Sequence, residues 1–378
     1  MSARFLRGNI LTSRGFIAGS LEVDANGRIL RIEGQPVDAG AARDAIEPLV
    51  LPGFVDLHVH GGAGHDVMDG GDAALHVARC HARHGTTSLL ATTMTAPMQD
   101  LERAFTGVRE VCARRLPGAA RVLGVHLEGP YINPGKLGAQ PDFARPVSRQ
   151  ELDKLHAMAP IRLITLAPEV PGNMEAVAEL VGAGYRVQLG HSLASYEQGV
   201  QALQHGAAGF THLFNAMSGL HHREPGMVGA ALAHGGYAEI IPDLLHVHPG
   251  AIRVALRSIP CLYCVTDSTS AAGMPDGEYR LGRQTVTKCM GGVRLADGTL
   301  AGSTLTMDQA LRNLVEQLGL PLDDASRRVS TYAADHAGLS GRGRLEVGAW
   351  ADAVLLDRDL KLLDVYVEGD SIEHAHAA

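Results

Sequence analysis

The chain has 378 residues and a formal charge of −8, from 33 Lys and Arg against 41 Asp and Glu. That acidity argues against a non-specific nucleic-acid or anionic-membrane binder, and no apolar run reaches the roughly 18 residues that a membrane span needs. Hydrophobic residues at 46% exclude a largely disordered chain, and five cysteines in so long a chain do not make a disulfide scaffold.

Residues 1–50 read as short strands and turns, with weak alternation over 10–11, 15–20 and 28–32 and a hairpin signal at Asp24-Ala25-Asn26-Gly27. The first seven residues carry charge but no long apolar stretch, so no signal peptide is expected and the chain is expected in the cytoplasm. Pro48 and Pro52 bracket a boundary. Beyond it come eight apolar runs, at 54–59, 87–92, 122–127, 161–166, 186–189, 209–214, 238–241 and 261–265. Amphipathic helix candidates separate them, at 72–84, 99–115, 148–157, 173–183, 195–205 and 247–258, with a less helical, Gly-rich link at 224–235. Eight apolar strands alternating with helices predict a (β/α)8 TIM-like barrel over 51–344. The doubly wound alternative lacks a G-x-G-x-x-G turn after the first strand.

Residues 273–302 are Gly-rich and read as irregular, followed by helices at 304–318 and 323–337. Strand-like pattern returns over 345–357 and 365–367, so residues 1–50 and 345–378 are expected to form a small β-sandwich domain beside the barrel. Cys261 and Cys264 make a C-x-x-C pair, but no second pair completes a zinc site, and both are expected as thiols in a buried strand.

Barrel enzymes carry their chemistry at the C-terminal ends of the strands. Five runs end there in imidazoles or carboxylates: Asp56-Leu57-His58-Val59-His60, His126-Leu127-Glu128, Gly190-His191, Thr211-His212 and Thr266-Asp267. In a strand, residues i and i+2 face one side, so His58 and His60 can converge. A lone strand-end histidine is ordinarily a satisfied polar residue, and His374-Ala375-His376 repeats the H-x-H spacing near a polar terminus without a role. The joint placement at successive strand ends points instead to a divalent-metal site.

The order H-x-H, H-L-E-G-P, G-H-S, T-H-L-F-N-A-M and T-D-S-T resembles the amidohydrolase superfamily over nearly the whole chain. Within it, His126-Leu127-Glu128-Gly129-Pro130-Tyr131, Arg223-Glu224-Pro225-Gly226 and Leu300-Ala301-Gly302-Ser303 resemble the branch that deacetylates N-acetyl amino-sugar phosphates. The resemblance implies Glu128, His191 and His212 as metal ligands and Asp267 as the catalytic carboxylate. It leaves open a second ion on His58 and His60, a first-strand pair that some members keep and others replace, with Glu128 as the bridge between the two. One or two divalent ions are implied, zinc first, with iron, manganese or cobalt as alternatives. Many superfamily members bridge two metals with a carboxylated lysine on strand four, but run four ends Leu166-Ala167-Pro168-Glu169 and offers none. The substrate-contacting positions implied are Ala139, Asn215, Ala216, Arg223, His246, Leu300, Ala301 and Gly302. The implied activity is hydrolysis of the acetamide of N-acetyl-D-glucosamine 6-phosphate, by a homodimer. The alternatives are another N-acetylated amino-sugar phosphate, an N-acyl amino acid, or a non-catalytic ligand-binding barrel. One departure stands out: in Asp243-Leu244-Leu245-His246, Leu244 occupies the position where glycine is usual.

Overall fold

The computed structural model describes residues 4–373, and the His374-Ala375-His376 motif lies outside them. A curled parallel sheet runs in the spatial order Gly209–Phe210, Arg186–Leu189, Ile161–Leu166, Arg121–Glu128, Thr86–Thr93, Phe54–Val59. Tyr237–Ile240 and Cys261–Cys264 form a second parallel pair. Segments just past the strand ends link the two. The Asp267 N–H donates to the His58 carbonyl at 2.9 Å, and the Leu213 N–H donates to the Glu239 carbonyl at 2.9 Å. The strands are apolar on both faces because helices cover them outside and side chains fill them inside.

The helices fall close to where periodicity predicts. Met98–Cys112 buries Leu101, Ala104, Phe105, Val108 and Val111, one stripe at the helical period. Tyr196–Gln204 starts with a capping box in which Ser195 and Gln198 satisfy each other's backbone N–H. The 224–235 link is a helix over Gly226–His234. The expected helix at 323–337 breaks at Ser330 into Leu322–Val329 and Thr331–His336.

Two stretches depart from expectation in ways that shape the site. The sixth run is strand only over Gly209–Phe210, because His212 (φ 30°) and Phe214 (φ 82°) turn the chain into the left-handed region. Residues 273–302, read as irregular, contain a three-stranded antiparallel sheet of Gly277–Leu281, Gln284–Cys289 and Gly292–Arg294. Its second turn places Met290 and Gly291 at φ 48° and 76°, the two positive values that match a hairpin to strand twist. Glycine-rich composition hid a hairpin signal that depends on those glycines.

The termini meet in one seven-stranded mixed sheet, in the order Asp370–Ser371, Leu362–Val367, Ala353–Leu356, Leu49–Pro52, Arg4–Thr12, Gly15–Val23, Ile29–Val37. Of the strand-like 345–357 stretch only Ala353–Leu356 is strand. A separate apolar cluster around Leu6, Ile10, Leu21, Ile29 and Val50 fills one face of this sheet. Cys264 is buried and Cys261 half-buried in their strand, and all five cysteines are free. Burial pushes the Cys264 thiol up to about 12, which leaves it inert. Among the described residues no helix is long and apolar enough to cross a membrane.

Arg342 joins the terminal sheet to the curled one. Its buried guanidinium donates to Asp352 at 2.6 Å, to Glu368, and to Ser88 of the Thr86–Thr93 strand at 3.4 Å. Removing one partner of a buried ion cluster strands the other charges and costs about 3–5 kcal/mol. We expect Arg342→Ala to lower unfolding free energy by that amount in a denaturant titration. A loss below about 1 kcal/mol would show that the cluster does not hold the two sheets together.

Candidate metal centre

Five strand-end side chains meet at one mouth of the curled sheet, joined there by Asp267. Glu128 ends the Arg121–Glu128 strand, and its Oε1 lies 3.1 Å from His191 Nε2 and 2.9 Å from His212 Nε2. Its Oε2 lies 3.2 Å from His60 Nε2. His58 Nε2 is 3.2 Å from His60 Nε2, so the i, i+2 spacing does bring both rings to one point. Asp267 Oδ1 is 3.5 Å from His58 Nε2 and 3.3 Å from His60 Nε2.

Backbone geometry aims three of these groups. His191, His212 and Asp267 sit at φ 48°, 30° and 48°, where an L-residue turns sharply at a strand end. Such conformations cost on the order of 1–3 kcal/mol each and cluster at functional sites. Gly302 makes the Asp267 turn fit. It has φ 61°, and a Cβ there would fall 2.6 Å from Thr269 Cγ2 and 2.8 Å from the Asp267 carbonyl.

The donor chemistry suits a divalent cation. The Lys136 carbonyl only accepts, so His191 Nδ1 carries the proton at 2.8 Å and Nε2 presents its lone pair. His191 and His212 then oppose each other nitrogen to nitrogen at 3.1 Å, and His58 and His60 do so at 3.2 Å. Lone pairs facing at that distance require a proton or a metal between them. Two groups of three have ligand atoms within 4.8 Å of one another: Glu128 with His191 and His212, and His58 with His60 and Asp267. A third such group, His58 with His126 and Glu239, has no free lone pair on His126. Its Nδ1 donates to the Leu57 carbonyl at 2.9 Å, and its Nε2 therefore accepts from Thr165 at 2.7 Å.

Protonation follows the same crowding. Burial works against charge throughout, and the opposite charges overcome it. His60 is raised to about 9 by Asp267 and Glu128, and His58 is also raised. Asp267 is held down to about 2 by His58 and His60, and Glu128 well below the usual carboxylate range. Burial, with the neighbouring His58 charge, pushes His126 down to about 4, so it stays neutral.

A cavity of about 380 Å³ opens above the cluster. Its lining includes His60, Glu128, His191, His212 and Asp267, with Ala139, Asn215, Ala216, His246, Leu300 and Gly302 of the expected contacts. His58 lies beneath His60 without access to the cavity. Ala301 is buried behind the lining, and Arg223 stands exposed in the 218–225 loop with its guanidinium on His222 at 2.7 Å.

Residues 49–372 match the amidohydrolase family. The chain belongs to this family. As an amidohydrolase it is 41% identical over 373 residues to an N-acetylgalactosamine-6-phosphate deacetylase of Escherichia coli O157:H7, with 95% of this chain and 96% of that one covered. It is 41% identical over 323 residues to an N-acetylglucosamine-6-phosphate deacetylase of Lysinibacillus sphaericus, with 83% and 82% covered. A solved structure of a Mycobacterium smegmatis N-acetyl-D-glucosamine-6-phosphate deacetylase mutant, in complex with N-acetyl-D-glucosamine-6-phosphate, matches with a TM-score of 0.88 and 34% identity over 98% of this chain and 100% of that one.

Sequence reasoning missed three polar residues of this amidohydrolase site. Gln140 donates to Glu128 Oε2 at 2.5 Å and accepts from the Thr95 N–H at 2.6 Å, which orients the carboxylate. It lies in a loop without periodicity, so no pattern marked it. Lys136 is the one lysine or arginine of the cavity lining, and it too lies in that loop. Glu239 is fully buried under His58. An acid inside the apolar run 238–241 was the available signal.

The two donor groups make separable contributions. We expect His191→Ala to abolish binding of one ion and to cost more turnover than His58→Ala with His60→Ala. Metal per chain, by elemental mass spectrometry, together with kcat decides it. If the first-strand double variant is the more damaged, the essential ion sits on His58 and His60.

Proposed function

We propose that the chain hydrolyses the acetamide of N-acetyl-D-glucosamine 6-phosphate to glucosamine 6-phosphate and acetate. The observation that carries this reading is the Asp267 carboxylate, placed at the cavity floor against the His58 and His60 nitrogens and beside the Glu128, His191 and His212 group. The named relatives act on N-acetyl amino-sugar 6-phosphates and cover nearly the same length. The proposal includes a closed eight-stranded barrel over 51–344 and a small sandwich from 1–50 plus 345–378. The barrel is supported by the hydrogen bonds that link the six-stranded and two-stranded sheets on both sides, and the separate terminal unit by the seven-stranded sheet that joins both ends of the chain.

Glu128, His191 and His212 would hold the essential ion, with His58 and His60 for a second, and zinc suits the imidazole and carboxylate donors. Such an ion, when bound, acidifies water and polarises an amide carbonyl. Asp267 takes the proton of the attacking water. Once the water oxygen has bonded to the acetyl carbon, Asp267 returns that proton to the departing nitrogen as the C–N bond breaks. The lowered pKa of Asp267 keeps it in the deprotonated form at neutral pH, so its oxygens are free to take a proton.

Local cations must offset the −8 charge to attract a phosphate. His246 lines the cavity, and Asp243 accepts from its Nδ1 at 2.6 Å. Burial disfavours its charge, but Asp243 raises it above the usual imidazole value, and a protonated ring suits phosphate. Lys136 is the same-chain cation at the cavity. Arg223 points from an exposed loop, which supports a role across a homodimer rather than in its own pocket. Free cysteines throughout support a reducing, cytoplasmic setting.

A second reading, the galactose epimer, has its own support. Leu244 has φ 66° two residues before His246 of the cavity lining, so the residue in that turn bears on how the His246 ring is presented to the sugar. The E. coli relative also acts on that epimer. Comparison of kcat/KM for the two sugar phosphates separates the readings.

We expect Asp267→Asn to retain metal while kcat falls by about 10²–10⁴. Near-normal turnover would remove Asp267 from the mechanism. Loss of a charge-assisted phosphate contact costs about 1.5–3 kcal/mol, roughly 10- to 150-fold. We therefore expect Arg223→Ala to raise KM for the phosphorylated sugar by that factor and to leave the unphosphorylated sugar nearly unchanged. Equal loss on both sugars would make Arg223 structural.

A further inference from the structure

Beneath the mouth lies a carboxylate that the reaction does not use. Glu239 sits on the Tyr237–Ile240 strand with 0% exposure. Its Oε2 accepts from His58 Nδ1 at 2.9 Å and from the His212 backbone N–H at 3.1 Å. Its Oε1 accepts from Gln188 Nε2 at 2.9 Å and faces the Tyr263 hydroxyl at 3.4 Å. Gln188 is itself fixed, because its Oε1 accepts from Tyr263 at 2.7 Å and from His336 Nε2 at 2.8 Å.

We propose that Glu239 is a positioning residue that locks His58 in the Nδ1–H tautomer and anchors the His212 turn, so that one buried carboxylate aligns both donor groups. The proposal rests on the metal reading of the mouth. Donors surround both oxygens of Glu239, so only a group with acceptors on both arms fits there. A glutamine in its place would turn an NH2 toward either the His58 and His212 N–H groups or the Gln188 amide. Among the four strand-end histidines the arrangement is uneven. The Nδ1 of His58 has a carboxylate and that of His191 a backbone carbonyl, while His60 and His212 have no side-chain acceptor for Nδ1. His212 is held instead through its backbone, by the same Glu239.

A carboxylate behind a ligating imidazole typically contributes 10- to 100-fold in metal affinity. Zinc binding to metal-stripped protein, by competition with a chromophoric chelator, should be weakened about 10- to 100-fold in Glu239→Gln. In a His58→Ala background the same change should weaken zinc binding less, because part of the effect passes through His58. A merely structural role would give equal losses in both backgrounds and would overturn the proposal. Imidazole ¹⁵N shifts of His58 in the zinc-loaded wild-type protein provide a check that needs no variant. A protonated Nδ1 supports the proposal, and a protonated Nε2 overturns it. Wild-type protein that loads zinc while Glu239→Gln loads it equally well overturns the role of Glu239 alone. Wild-type protein that takes up no zinc overturns the metal reading and this proposal with it.

Discussion

Three carboxylates with almost no access to water, Glu128, Asp267 and Glu239, face imidazole nitrogens at 2.9–3.5 Å. Each buried charge carries a desolvation penalty of several kcal/mol, which stands only if opposite charge offsets it. In the protein alone, protonation of this histidine pair can supply part of that charge: the facing carboxylates raise both His58 and His60 despite their burial. A divalent cation supplies it in a more compact form and also relieves the facing nitrogens. The arrangement is therefore better explained as a metal cradle than as a hydrogen-bonded core, and most features around the mouth serve to hold it.

Backbone strain is one of those features. The same positive-φ turn recurs at His191, His212 and Asp267, just past the ends of three different strands. No local propensity favours a histidine or aspartate there over glycine, so the surrounding structure must impose it. Gly302 clears the space behind Asp267, and Glu239 holds the His212 N–H. The layer below is saturated with hydrogen bonds among Thr165, Thr211, Gln188 and Tyr263, which leaves the rings above little freedom.

The strand ends were legible in the sequence because the parallel strands are apolar runs and their polar terminators stand out. His58, His60, Glu128, His191, His212 and Asp267 all reach one mouth for that reason. The cavity wall was less legible. Gln140 and Lys136 lie in an aperiodic loop, and the 277–294 sheet was concealed by the glycines that make its turns. Arg223 is the instructive case. Its motif was conspicuous, yet its side chain stands outside its own chain's cavity, since a motif does not say where a loop points. Glu239 was overlooked because a single acid in an apolar strand has no spacing to reveal its partners, which come from the first, fifth, sixth and eighth strands and their ends.

The central claim is that this buried cluster is a metal-dependent amide-hydrolysing centre. Its most direct test is acetate release from N-acetyl-D-glucosamine 6-phosphate by chelator-stripped protein, titrated with zinc from zero to several equivalents. The account requires turnover to be absent without metal, to rise with added zinc, and to plateau at one or two ions per chain. Full turnover in protein shown by elemental analysis to be metal-free would contradict it.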